Sequence, residues 1–135
     1  MSIDRYSNIK TTRAISPISP AATGTITGQV IDTAGFRSNT FVIAAGAQTT
    51  TGITVTPVVL SGTVTGTLVS AADDDLLGTE AAAVLSGTAG ANGQTKIGYT
   101  GTNRYIRLDL IVLSAASGVY SAVCVQGDAV KAPVA

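Results

Sequence analysis

The chain has 135 residues and a mass of 13.5 kDa, enough for one domain with a real core and too little for a second. Apolar residues make up 45% and charged residues only 12%, which argues against a disordered chain. The net charge is zero, so nothing resembles the basic footprint that neutralises nucleic-acid phosphates.

In chain order, residues 1–22 read as an extended N-terminal arm. Ser16-Pro17 and Ser19-Pro20 each hold the residue before proline away from helix. Arg5, Lys10 and Arg13 give the arm a basic excess over Asp4, and Ile9, Ile15 and Ile18 give it apolar anchors. These six residues are the candidate partner-binding positions of the arm.

Residues 23–135 read as a single β-sandwich domain, with short strands between glycine-rich turns. Thr23–Asp32 alternates around Ile26 and Val30, and Asp32-Thr33-Ala34-Gly35 is a turn. Asn39–Ala45 is a second strand, followed by a polar break over Gly46–Gly52. Ile53–Leu60 is a third, with Ile53, Val55 and Val59 on one face. Pro57 lacks a ladder donor and marks that strand as an edge strand or the site of a bulge. Thr63–Ser70 is a weaker strand, Ala71–Gly78 an acidic loop, and Glu80–Leu85 is ambiguous, its three alanines favouring helix in a run too short to stand as one. Ser86–Gln94 is a loop and Thr95–Tyr99 a strand.

Arg104–Leu113 has the clearest period of two. Ile106, Leu108, Leu110 and Val112 share one face with Arg104, and Tyr105, Arg107 and Asp109 share the other. Ile111 and Leu113 continue the polar face, so something covers its far end. Tyr105 and Arg107 are a second candidate partner-binding pair. Gly118–Gln126 is the last strand, ahead of a tail containing Lys131-Ala132-Pro133. About eight short strands in an aliphatic, aromatic-poor chain predict an all-β fold, a sandwich or a jelly-roll-like barrel.

The missing chemistry is as informative. Without histidine and with Cys124 alone, no Ser-His-Asp or Cys-His arrangement, no zinc site of the usual composition and no intrachain disulfide can form. No phosphate-binding glycine motif occurs. The run Asp73-Asp74-Asp75 with Glu80 offers carboxylates but not the spacing of a calcium-binding EF-hand loop, and reads as a solvated loop. No catalytic residue, metal site or cofactor is expected, so the chain is read as a non-enzyme. There is no signal-peptide core and no apolar window of roughly twenty residues, so no membrane partner is expected.

Asn8-Ile9-Lys10 and Arg13-Ala14-Ile15-Ser16-Pro17 resemble the start of short proteins encoded among tailed-bacteriophage head genes. Asp75-Leu76-Leu77-Gly78-Thr79-Glu80, Lys96-Ile97-Gly98-Tyr99 and Arg104-Tyr105-Ile106-Arg107-Leu108 follow in the same order. The resemblance is to the capsid decoration, or cement, proteins. It implies a virion protein, folded in the host cytoplasm, that binds the major capsid protein on the outside of the shell, stabilises contacts between capsomers and associates with itself as a homotrimer. A head–tail connector, tail or fibre component, or a carbohydrate-binding sandwich, are the alternative readings.

Overall fold

The computed structural model describes residues 4–48, 52–87, 90–113 and 118–131. Its strands are β1 (Lys10–Ile18), β2 (Gly24–Ile26), β3 (Ile31–Asp32), β4 (Phe36–Ala45), β5 (Thr54–Val64), β6 (Thr67–Ser70), β7 (Leu76–Leu77), β8 (Leu85–Ser86), β9 (Gln94–Tyr99), β10 (Tyr105–Val112) and β11 (Tyr120–Ala129). All pairings are antiparallel. One sheet runs β1-β11-β4-β9-β7, and the other runs β2-β10-β5-β6, with β3 added on β10 and β8 on β5.

The core lies between the two inner faces, where alternation places it. Phe41 and Ile43 of β4, Tyr120, Ala122 and Cys124 of β11, and Ile97 and Tyr99 of β9 face Val55 and Val59 of β5 and the four even-numbered residues Ile106–Val112 of β10. Each fully buried Ile, Leu or Phe contributes roughly 1.5–3 kcal/mol. Gln126 is buried among them, and its Nε2 donates to Asn39 Oδ1 and to the Asp32 carbonyl, both at 3.0 Å. Because Asp32 belongs to the opposite sheet, this one amide stitches the two layers together.

The all-β sandwich follows the sequence reading, with eleven strands among the described residues rather than about eight. The turn at residues 32–35 forms as expected: Phe36 N donates to the Thr33 carbonyl, Ala34 N donates to Asp32 Oδ1, and Gly35 takes φ +89°. Thr23–Asp32 is not one strand but two, β2 and β3, for a reason described below. The polar break and the 86–94 loop lie partly outside the described residues, at 49–51 and 88–89, and Ala132-Pro133 of the tail lies outside them entirely.

The stretch read as an arm is extended, but Lys10–Ile18 is hydrogen-bonded onto β11 and puts Ala14 and Ile15 into the core. It is the edge of the five-stranded sheet rather than a segment lying beyond the domain. The physical reason is the open edge of β11, whose backbone groups need partners that an extended neighbour supplies.

Pro57 does not mark an edge strand, because β5 sits between β10 and the β6/β8 side. The Ile53 carbonyl accepts from Gly87 N and the Val59 carbonyl from Ala71 N, so the odd-numbered residues of β5 turn their backbone groups to that side. Pro57 falls between the stretch paired with β8 (Thr54, Val55) and the stretch paired with β6 from Leu60 onward. The missing N–H therefore faces a gap in the ladder, a local edge inside a central strand.

Candidate functional site

β1 and β2 are the adjoining edges of the two sheets, and the seam between them is a groove of about 390 Å³ lined by Arg13–Ile18 and Ile26–Gln29. Its first wall is shaped by irregular pairing. Arg13 pairs with Val123 but Ile15 pairs with Ala122, and Ile18 then pairs with Tyr120, so β1 carries an extra residue at two successive points. The first bulge turns both Ala14 and Ile15 inward, against strict alternation. The second falls at Ser16-Pro17, where a residue without an N–H is tolerated.

The second wall is held by a charge. Between Ile26, opposite Leu110, and Ile31, opposite Ile106, the chain carries one residue more than β10 and leaves the ladder. A side chain on Gly28 would overlap the Leu108 carbonyl oxygen, and only glycine passes so close. Gly28 N donates to Asp109 Oδ1 at 3.1 Å, so a carboxylate replaces the lost ladder acceptor. Asp109 is buried and requires a counter-charge. Arg107, two residues away on the same face, supplies it through paired 2.8 Å bonds from Nε to Oδ1 and from the terminal nitrogen to Oδ2. The walls meet where Gln29 N donates to the Ala14 carbonyl at 2.8 Å.

The predicted residues are thus divided. Arg13, Ile15 and Ile18 line the groove. Arg5 and Ile9 line a smaller cleft of about 220 Å³ against Thr40 and Val125 on the outer face of the five-stranded sheet. Lys10 is exposed at the start of β1, opposite Gln126, and lines neither.

Tyr105 and Arg107 do share the outer face of β10, and each is in contact with a neighbouring side chain. Arg107 is committed to Asp109, and the Arg104 guanidinium lies 5.2 Å from the centroid of the Tyr105 ring. Arg104 does not share the face of Ile106. It lies before the strand and grips Asp32 through 3.0 and 2.8 Å bonds, which holds the Asp32 carboxyl below its ordinary value. Gly28, Gln29 and Asp109 were not singled out from sequence. The one signal was an acid two residues after an arginine inside an otherwise apolar strand.

The chemistry on offer is contact. Among the described residues no group of three or more acids, cysteines or histidines is placed to hold a metal ion. Glu80 is engaged instead with β5, its Oε1 accepting the Val59 N–H at 2.9 Å. Cys124 is buried, and burial pushes its thiol up to about 12, far from a reactive thiolate at neutral pH. No described helix is long and apolar enough to cross a membrane.

No family model and no curated protein matches the sequence. Solved structures do match the fold. The PBSX exported protein XepA superposes with a TM-score of 0.60 at 11% identity, over 99% of this chain and 42% of that one. A structure of the infectious bursal disease virus Gx strain gives 0.51 at 12% identity, over 90% of this chain and 32% of the other. The VP2 subviral particle of the same virus gives 0.51 at 12%, over 87% and 32%. The chain therefore spans less than half the length of each, and what is shared is the two-sheet sandwich.

Proposed function

We propose that this chain is a virion structural protein that binds the outside of a phage capsid and stabilises contacts between neighbouring capsomers, acting by contact and without catalysis. The observation that carries the reading is the seam groove. It has an open strand edge on one wall and a backbone fixed by a part-buried ion pair on the other, with Ile15, Pro17, Ile18 and Ile26 among its lining residues. Such a site recognises a segment of another protein through main-chain bonds and side-chain packing. It has no convergent acid, base or nucleophile.

Two further points support the reading. The order of motifs resembles the decoration proteins of tailed phages. The same sandwich occurs in VP2, which forms a subviral particle. A shell repeats its binding sites many times, so individually weak contacts add up to firm attachment.

The test is co-sedimentation of the purified protein with phage heads assembled without it. The wild-type chain is expected to pellet with heads and to raise their resistance to heat or chelation. Ile18→Asp, at a partly exposed position on the groove rim, is expected to weaken pelleting while leaving the fold intact. Wild-type protein that stays in the supernatant overturns the function. An Ile18→Asp protein that pellets like wild type overturns the groove as its seat. This point variant is preferable to deleting residues 1–20, since that deletion would strip Ala14 and Ile15 from the core.

A further inference from the structure

The five-stranded sheet ends in two edges of opposite character. β1 is one edge, and it bears Lys10 and Arg13, both exposed. β7 is the other, and the chain enters it through Asp73, Asp74 and Asp75, the first two exposed. The salt bridges among the described residues are Arg104–Asp32 and Arg107–Asp109, so neither set of edge charges is used in one. Four inter-strand spacings separate the two edges, about 19 Å, so a single copy cannot bring them together.

Their apolar features match as well. Leu77 of β7 is 61% exposed, directly after the acidic run. The β1 edge opens onto the seam groove, lined by Ile15, Pro17, Ile18 and Ile26, with Arg13 at its end. A leucine preceded by acids on one edge complements a groove of mixed apolar and polar lining on the other, with Arg13 at its end and Lys10 beyond.

We infer that the groove receives the Asp73–Leu77 segment of a second copy of this chain, so that copies associate head to tail, basic edge against acidic edge. Leu77 enters the groove, and Asp73 and Asp74 lie against Arg13 and Lys10. The contact is heterologous, using different patches on the two copies, so it closes into a ring or continues as a filament. The acidic run then serves as a docking charge. The inference rests on the groove being a protein-binding site, as proposed above, and names what enters it in the protein free of a shell.

The test is analytical ultracentrifugation of the whole protein in the absence of any shell, with charge-reversal variants. Lys10→Glu with Arg13→Glu makes both edges acidic, and Asp73→Lys with Asp74→Lys makes both basic. Each variant alone is expected to sediment at the 13.5 kDa of one chain, with self-association weakened on the order of tenfold or more. An equimolar mixture of the two is expected to associate again, as is the chain carrying all four changes. Wild-type association is expected to weaken with salt, because exposed charges are screened over about 8–10 Å.

Circular dichroism confirms that the variants keep the β fold. A wild-type chain that stays monomeric at low salt overturns the inference, as do single-edge variants that associate like wild type. Head binding is read separately. A chain that associates but ignores heads removes the proposed function and leaves this contact, whereas a wild-type chain that binds heads while its single-edge variants associate as it does removes this contact and leaves the function.

Discussion

Glu80 Oε1 accepts the backbone N–H of Val59 at 2.9 Å, so a side chain completes a ladder that no strand reaches. Pro57, two residues earlier, has no N–H to offer at the same gap. A central strand with an unpaired stretch is an invitation to another chain, and a carboxylate laid across it closes the opening. Glu80→Ala is expected to cost about 1–3 kcal/mol, because it leaves a part-buried donor without an acceptor. Glu80→Gln retains an oxygen at the same reach and should lose less than half as much. Urea unfolding of the three proteins decides the matter. Equal stability would mean that water replaces the carboxylate without loss.

Gly28 and Gly66 make a matched pair for testing the groove wall. A Cβ on Gly28 would run into the Leu108 carbonyl and lie 3.1 Å from the Ala14 carbonyl, whereas one on Gly66 meets nothing within 4 Å. Gly28→Ala is therefore expected to destabilise by about 2–4 kcal/mol and to push the 27–30 segment away from β10. Gly66→Ala, in the exposed turn between β5 and β6, should stay within about 0.5 kcal/mol of wild type. Thermal unfolding of both variants, with amide exchange at residues 27–30, reads the difference.

The parts of this fold that were legible in sequence are those set by local periodicity. β10 shows it best: Ile106, Leu108, Leu110 and Val112 alternate without interruption and all four are buried. The N-terminal segment was harder because its bulges break the period. Ala14 and Ile15 are adjacent yet both inward, and two Ser-Pro pairs suggest a chain that pairs with nothing. Asp109 was placed on the polar face of its strand, correctly, yet it is buried. Its burial depends on Gly28, 81 residues away in sequence, and no local pattern records such a contact. The groove arises where two sheet edges meet, so only one of its walls was visible beforehand, through Arg13, Ile15 and Ile18.

The Arg107–Asp109 pair makes a sharper prediction, because the two residues are unequal. Asp109 is the more buried, with its side chain 9% exposed against 24% for Arg107. Arg107→Ala leaves a buried carboxylate unpaired and is expected to cost about 3 kcal/mol. Adding Asp109→Asn removes the charge while keeping an oxygen for Gly28 N, and should recover a large part of that loss. The double variant should thus be more stable than Arg107→Ala alone. Chemical denaturation of the four members of this cycle gives the coupling. Additive losses would show that the pair acts as two independent surface residues.

On the alkaline side, stability is expected to fall in a window set by Cys124. Its ordinary value is 9.0, and burial beneath the two sheets raises it to about 12. Between those values the unfolded chain gives up the thiol proton while the folded chain keeps it. The unfolded state then binds fewer protons, and stability declines as pH rises through the window. Tyr120, also raised by burial from 10.0, acts in the same direction. Well below pH 9 both groups are protonated in either state, and no dependence from them is expected. The loss across the window is on the order of a few kcal/mol. Cys124→Ala should be less stable than wild type at neutral pH, having lost buried volume, yet should fall less steeply above pH 9. Urea midpoints for both proteins along a rising pH series provide the measurement. As a second check, the thiol of the native protein should resist alkylation at neutral pH and become reactive only once urea exposes it. Parallel slopes for the two proteins would show that the thiol does not drive the alkaline decline.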